Sequence, residues 1–322
     1  MTQSLGLCVI GGGAIAEKHL QAYDRLGGVA LRWVISRPED AAQEFARRWK
    51  FAQAATAIEP ALADPLVQVA LITSPSPLHS AQAIQALQAG KDVIVEIPVA
   101  LSWPEAQHVA QVAGALGRRV WVCHTLRSTA ALREVRQRIR AGRLHVTHIA
   151  GFFGIPRRRN QGMGGIGTRT WIDNLLWHHG CHQVDAGLWV LGMPGVPRVQ
   201  ALLGPAHPTF GMALDVGVQM TAAGGELITQ ALSYNVEEPA WRLQFIGHED
   251  VLTFQEGRLT NESGEELAPE SPVVDLTTQN REILQAFRSG DKCEYELSEV
   301  LPTMEVLGRA QHSADGSGSR QA

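Results

Sequence analysis

The chain has 322 residues, 45% of them apolar, with a formal net charge of −4 and an isoelectric point near 6.3. That length exceeds one comfortable hydrophobic core and predicts two domains, while the charge balance leaves no broad basic surface and argues against a nucleic-acid partner. No apolar stretch approaches the roughly 18 residues of a membrane helix, and no Lys or Arg precedes the apolar run Leu5–Ile10, which predicts a cytoplasmic protein without a membrane partner.

From residue 5 to about 123 short β-branched runs alternate with longer helical segments, the pattern of a parallel sheet with crossover helices. Strands are predicted at Leu5–Ile10, Leu31–Ser36, Val69–Thr73, Val93–Glu96 and Val120–Cys123. Helices are predicted at Glu17–Leu26, Glu39–Trp49, Glu59–Ala63, Leu78–Ala89 and Trp103–Leu116. Gly27-Gly28, Gly90 and Gly117 stand where left-handed C-terminal caps belong.

Beyond Cys123 the rhythm changes. A helix is expected at Ala130–Ala141, a strand at Leu144–Phe153, a Gly/Arg-rich loop to about Thr170, and a single helix over Trp171–Leu191. Strands at Val199–Leu203, Ala213–Thr221, Glu226–Tyr234, Trp241–Gly247 and Glu249–Phe254 then suggest an open, mainly antiparallel sheet. Helices at Leu276–Phe287 and Ser298–Ala310 follow and are expected to return towards the first domain, and the polar tail from His312 is expected to be flexible. The organisation is therefore α/β, with a doubly wound domain over 1–123, an α+β domain over 124–311 and a tail over 312–322. An open sheet leaves a face that usually finds a partner, so a homodimer is expected. Cys8, Cys123, Cys181 and Cys293 form no C-x-x-C pair and read as small core residues.

Leu7-Cys8-Val9-Ile10 runs into Gly11-Gly12-Gly13-Ala14-Ile15-Ala16, which fits strand, then G-x-G-x-x-A, then helix. This is the context of the dinucleotide fingerprint of a Rossmann domain. Gly11 permits the tight turn, Gly13 lets a pyrophosphate approach the backbone, and Ala16 lets helix and strand pack closely. Ala14 and Ile15 open the helix whose free N–H groups attract the phosphates. About twenty residues on, where NAD enzymes carry an acid for the ribose 2′-hydroxyl, the chain reads Ile35-Ser36-Arg37. A hydroxyl and a guanidinium suit the 2′-phosphate of NADP better than NAD.

Trp177-His178-His179-Gly180-Cys181-His182 packs three imidazoles into five positions. On a continuous helix His178 and His182 would share a face. No H-E-x-x-H arrangement or obvious third ligand accompanies them, so no metal is expected. Histidine suits a general base near neutral pH, and removing a hydroxyl proton as hydride leaves the same carbon is dehydrogenase chemistry.

The order of these parts resembles the glucose-fructose oxidoreductase, inositol dehydrogenase and MocA family. The resemblance rests on the fingerprint, on Thr73-Ser74-Pro75 through His79, on Glu96-Ile97-Pro98, and on His182 in the second domain. It implies cofactor contacts by Thr73, Ser74, Pro75, His79, Glu96, Ile97, Pro98 and Trp171. That family usually shows E-K-P and D-x-G-x-H, where this chain has Glu96-Ile97-Pro98 and His178-His179-Gly180-Cys181-His182; the lysine and the aspartate are both missing.

Those two groups help deprotonate a sugar or inositol alcohol, so their loss points to a more acidic hydroxyl. The segments Val95–Pro98, His124-Thr125-Leu126-Arg127, Phe153, Arg157-Arg158-Arg159-Asn160 and Arg169-Thr170-Trp171 are similar to a branch serving the protocatechuate 4,5-cleavage pathway of aromatic compound degradation. Members of that branch oxidise a cyclic hemiacetal to 2-pyrone-4,6-dicarboxylate with NADP. The resemblance then implies His178, His182 or His179 as the base, and His124, Arg127, Arg157, Arg158, Asn160 and Asp173 on the side of a small dicarboxylate substrate. A sugar or inositol dehydrogenase of the same fold and a non-catalytic dinucleotide sensor are the alternatives, since fold alone does not fix function.

Overall fold

The computed structural model describes residues 4–157, 174–270 and 276–318. Two compact units emerge: residues 1–124 with 275–301, and residues 125–274 with 302–322.

The first unit is built on a six-stranded parallel sheet in the order β3-β2-β1-β4-β5-β6. Its strands are β1 (Leu5–Ile10), β2 (Val29–Ile35), β3 (Gln53–Ala55), β4 (Val69–Ile72), β5 (Asp92–Val95) and β6 (Val120–Val122). The crossover helices are α1 (Ala14–Leu26), α2 (Glu39–Trp49), α3 (Glu59–Ala63), α4 (His79–Gln88) and α5 (Trp103–Leu116). Every residue of β1 and β4 is buried, which is why those strands are continuous apolar runs and not alternating ones. The strand order reverses between β1 and β4, whose ends meet with Ile10 opposite Ile72. In open sheets of this kind ligands bind beyond the strand ends at that reversal.

One helix belongs elsewhere than the linear division at residue 123 implies. Helix α9 (Thr277–Ser289) lies in the first unit: Ile283, Leu284 and Tyr295 join Leu7, Val9 and Trp121 in one core. The Val122 N–H also donates to the Tyr295 carbonyl at 2.8 Å. Residues 319–322 lie outside the described residues, and residues 312–318 are not a loose tail, since α10 (Leu297–Gly318) continues through them. They dock by hydrogen bonds, the Trp177 indole donating to Gln311 Oε1 at 3.2 Å and the Ala201 N–H to Ser313 Oγ at 3.2 Å.

The second unit carries a seven-stranded sheet ordered β13-β12-β11-β7-β10-β9-β8. Its strands are β7 (Val146–Gly154), β8 (Arg198–Leu203), β9 (Asp215–Thr221), β10 (Leu227–Ser233), β11 (Ala240–Gly247), β12 (Val251–Gln255) and β13 (Arg258–Thr260). All neighbours are antiparallel except β7 and β10. Burial alternates along β9, as expected of a sheet with one packed face.

Helices α6 (Ala130–Arg140), α7 (Leu175–His178) and α8 (Gly180–Val190) complete the unit. One helix was expected over Trp171–Leu191. Instead Asn174 caps a new start, its Oδ1 accepting from the N–H groups of Leu176 (3.0 Å) and Trp177 (3.3 Å), and the helix breaks at His179. Residues 171–173 lie outside the described residues.

Arg127 anchors this unit. Its Nε donates to Asp185 Oδ2 at 2.8 Å and its Nη2 to Oδ1 at 2.5 Å, with both side chains 1% exposed. The Thr303 hydroxyl adds a bond to Oδ1 at 2.8 Å. Removing one partner of a buried pair strands the other charge, so Asp185→Ala is expected to cost about 3–5 kcal/mol in urea unfolding. The double variant Arg127→Met/Asp185→Leu should regain most of that loss; a single-variant cost below about 1 kcal/mol would contradict a buried, desolvated pair.

Candidate active site

The glycine turn is shaped by steric exclusion. Gly11 has φ +109°, and a Cβ there would lie 2.6 Å from Ser74 N and 2.7 Å from the Thr73 carbonyl, so no side chain fits. The turn is bonded on both sides: Gly11 N–H donates to the Ile35 carbonyl at 2.8 Å, and the Thr73 hydroxyl donates to the Gly11 carbonyl at 2.7 Å. Gly13 differs. It is exposed, has φ −94°, and a Cβ there would meet nothing within 4 Å. The open space in front of Gly13, at the N-terminus of α1, fits a group that must touch bare backbone, as a pyrophosphate does.

Ser36 borders this turn, because a Cβ on Gly12 would sit 3.2 Å from its Oγ. Arg37 is exposed, with its Nε donating to the Thr56 carbonyl at 3.4 Å. On the other side of the strand reversal, His79 is buried between the carbonyls of Pro98 and Ser74, each 2.8 Å from a ring nitrogen. Burial pulls its pKa below the ordinary value, against two carbonyls that each favour a bound proton. His79 thereby ties the loop after β4 to the Glu96-Ile97-Pro98 turn after β5. Thus Ser36, Thr73, Ser74, Pro75, His79, Glu96, Ile97 and Pro98 all belong to the first unit. Ile97 is buried, 5% exposed.

The histidines occupy the junction of α7 and α8 in the second unit. His179 is fixed on two sides: its Nδ1 lies 2.8 Å from the Tyr234 hydroxyl, and its ring stacks on Phe153 at 4.7 Å. The His178 ring meets it edge-on at 4.5 Å, while His182 faces Trp241 at 5.6 Å. A Cβ on Gly180 would come within 3.1 Å of Leu232, so the absence of a side chain lets the junction lie close to β10. Tyr234 was not singled out from the sequence, and Phe153 entered there only through the resemblance, without a role. Each is an ordinary core aromatic in isolation, and only the pairing of β7 with β10 brings both to His179.

The substrate-side expectations divide. Arg127 is corrected: its guanidinium is committed to Asp185 and buried, which makes it a structural anchor. His124 is buried at the end of β6 in the first unit. The Arg157 backbone N–H donates to the Tyr234 carbonyl at 3.1 Å, so the arginine loop departs beside the residue that holds His179. Arg158, Asn160, Trp171 and Asp173 lie outside the described residues. Of the cysteines, Cys8, Cys123 and Cys181 are buried; burial pushes the Cys8 thiol up to about 12 and the Cys123 thiol well above its usual range.

The contrast between Gly11 and Gly13 is testable. Gly13→Ala should unfold within about 1 kcal/mol of the parent yet bind NAD(P) at least tenfold more weakly by calorimetry. Unchanged affinity would exclude the space before Gly13 as the phosphate cradle.

Comparison with known proteins agrees with this geometry. Residues 5–124 match a family described as "Oxidoreductase family, NAD-binding Rossmann fold", and residues 130–267 match "Bacterial oxidoreductases, C-terminal". The 4-carboxy-2-hydroxymuconate-6-semialdehyde dehydrogenase of Sphingobium sp. (strain NBRC 103272 / SYK-6) is 30% identical over 97% of this chain and 99% of its own. An inositol 2-dehydrogenase of Streptomyces avermitilis is 26% identical over 73% of this chain and 67% of its own. A levoglucosan dehydrogenase solved in complex with NADH superposes with a TM-score of 0.85 at 17% identity, covering 98% of both chains; that likeness speaks to fold. Among the described residues no helix is long and apolar enough to cross a membrane. The chain belongs to the Gfo/Idh/MocA family of NAD(P)-dependent oxidoreductases.

Proposed function

We propose that this dehydrogenase oxidises the cyclic hemiacetal of 4-carboxy-2-hydroxymuconate-6-semialdehyde to 2-pyrone-4,6-dicarboxylate, using NADP. The observation that carries the reading is similarity along the whole chain to the Sphingobium enzyme, combined with Ile97 and His178 where the wider family has lysine and aspartate. A hemiacetal hydroxyl loses its proton more readily than a sugar alcohol, so an imidazole base suffices.

The nicotinamide, when bound, supplies the hydride acceptor. The chain supplies the rest. Gly11, Gly13, Ala14 and Ile15 would receive the pyrophosphate, Ser36 and Arg37 the 2′-phosphate, and the Thr73-Ser74-Pro75, Glu96-Ile97-Pro98 and Trp171 segments the nicotinamide half. His178 or His182 takes the hydroxyl proton. Tyr234 and Phe153 hold His179, which in turn buttresses His178 through the edge-on contact at 4.5 Å. A base fixed by neighbours in this way is oriented before substrate arrives. Arg157, Arg158 and Asn160 supply donors for the two ring carboxylates.

Incubation with NADP and the freshly made ring-cleavage product of protocatechuate should yield NADPH and the pyrone dicarboxylate. His178→Ala or His182→Ala should lower kcat by at least about 100-fold with NADP affinity retained. Turnover of inositol or a sugar in place of the semialdehyde would move the assignment to a cyclitol or sugar dehydrogenase, and unchanged turnover in both variants would remove the histidines from the chemistry.

Tyr234→Phe keeps the buried ring but removes the hydroxyl that lies 2.8 Å from His179 Nδ1. It should lower kcat roughly tenfold at nearly constant KM, the signature of a mispositioned base. An unchanged kcat would mean that the contact between Tyr234 and His179 serves packing only.

A further inference from the structure

A second group of chemistry-bearing side chains lies inside the first unit, apart from the histidine junction. His19 on α1 has its Nε2 2.7 Å from Glu96 Oε1, and the Cys123 sulfur lies 4.0 Å from the same nitrogen. One ligand atom from each of the three lies within 4.8 Å of the others. A buried ion pair accounts for His19 and Glu96. It does not account for Cys123, nor for Gln279 on α9, which is fully buried with its amide against the Cys123 sulfur. Beyond that sulfur, neither the nitrogen nor the oxygen of the amide has a hydrogen-bond partner among the described residues. A buried amide whose oxygen is left without a donor or a cation is costly, so its presence calls for a ligand.

We propose that His19 Nε2, a Glu96 carboxylate oxygen and Cys123 Sγ bind one divalent cation of the zinc class, with Gln279 Oε1 as the fourth donor. Tetrahedral zinc with bonds of about 2.0–2.3 Å sets its ligand atoms roughly 3.3–3.6 Å apart. The separation of His19 from Cys123 need only contract slightly, and that of His19 from Glu96 open slightly, to reach it. Asn280 stands behind the imidazole, 3.1 Å from Nδ1, in the outer position that orients a ligating histidine. The sulfur and nitrogen donors select zinc-class ions over magnesium or calcium. Glu96, whose side chain is 13% exposed, offers the entry. Such an ion would join α1, the ends of β5 and β6, and α9, the helix that returns to this unit late in the chain.

The test uses the full chain, stripped with chelator, dialysed and titrated with Co²⁺. The wild type should bind one equivalent in this site, with a near-ultraviolet sulfur-to-cobalt band and the visible bands of a four-coordinate ion, both abolished by Zn²⁺. Cys123→Ser should lose the sulfur band while Cys293→Ser keeps it. His19→Gln, with circular dichroism confirming its fold, should weaken binding at least tenfold and serves if the Cys123 variant does not fold. No cobalt bound by the wild type, a sulfur band that survives in Cys123→Ser, or unchanged affinity in His19→Gln overturns the proposal.

Discussion

Position 11 can hold no side chain, and much of the first unit follows from that exclusion. The positive φ of Gly11 and its close approach to Thr73 and Ser74 let the chain turn sharply out of β1 while β4 stays in register beside it. The Thr73 hydroxyl closes the contact by donating to the Gly11 carbonyl. With β1 and β4 adjacent at the point where strand order reverses, the N-terminus of α1 and the loops after β4 and β5 share one end of the sheet. His79 extends the same end outward by bridging the loop after β4 to the turn after β5.

The second unit solves a different problem, that of presenting imidazoles from a short helical junction. A continuous helix would leave the rings on its surface with their rotamers free. The break at His179 and the small residue at Gly180 instead bring the junction down against β10. There Tyr234 takes one ring nitrogen and Phe153 one ring face. Family membership supplies the dinucleotide and the hydride chemistry. In the proposed reading, Ile97 and His178, where the wider family has lysine and aspartate, narrow the range of hydroxyl groups the site would oxidise.

Much of this architecture was legible in the residues. Strands buried on both faces, such as β1 and β4, are unbroken apolar runs, and the fingerprint Gly11 to Ala16 sits at the one turn where its glycines are needed. Strand β3 escaped notice because three residues, Gln53–Ala55, carry no periodicity, and β13 is equally short. Arg127 looked like a carboxylate ligand because its own carboxylate, Asp185, stands far along the chain on α8 and spacing cannot reveal that partner. The same limit hid Tyr234 behind His179, which depends on a tertiary pairing that local pattern does not encode; the return of α9 to the first core was expected, but not the residues it would meet there.

In the proposed reaction an imidazole, and not a lysine, removes the proton as hydride leaves. The pH dependence of kcat/KM with NADP and the semialdehyde reads that group directly. An ascending limb with an apparent pKa near the histidine value of about 6.5 is the predicted result. A limb near about 10, the lysine range, or a profile flat from acid to alkaline pH would contradict it.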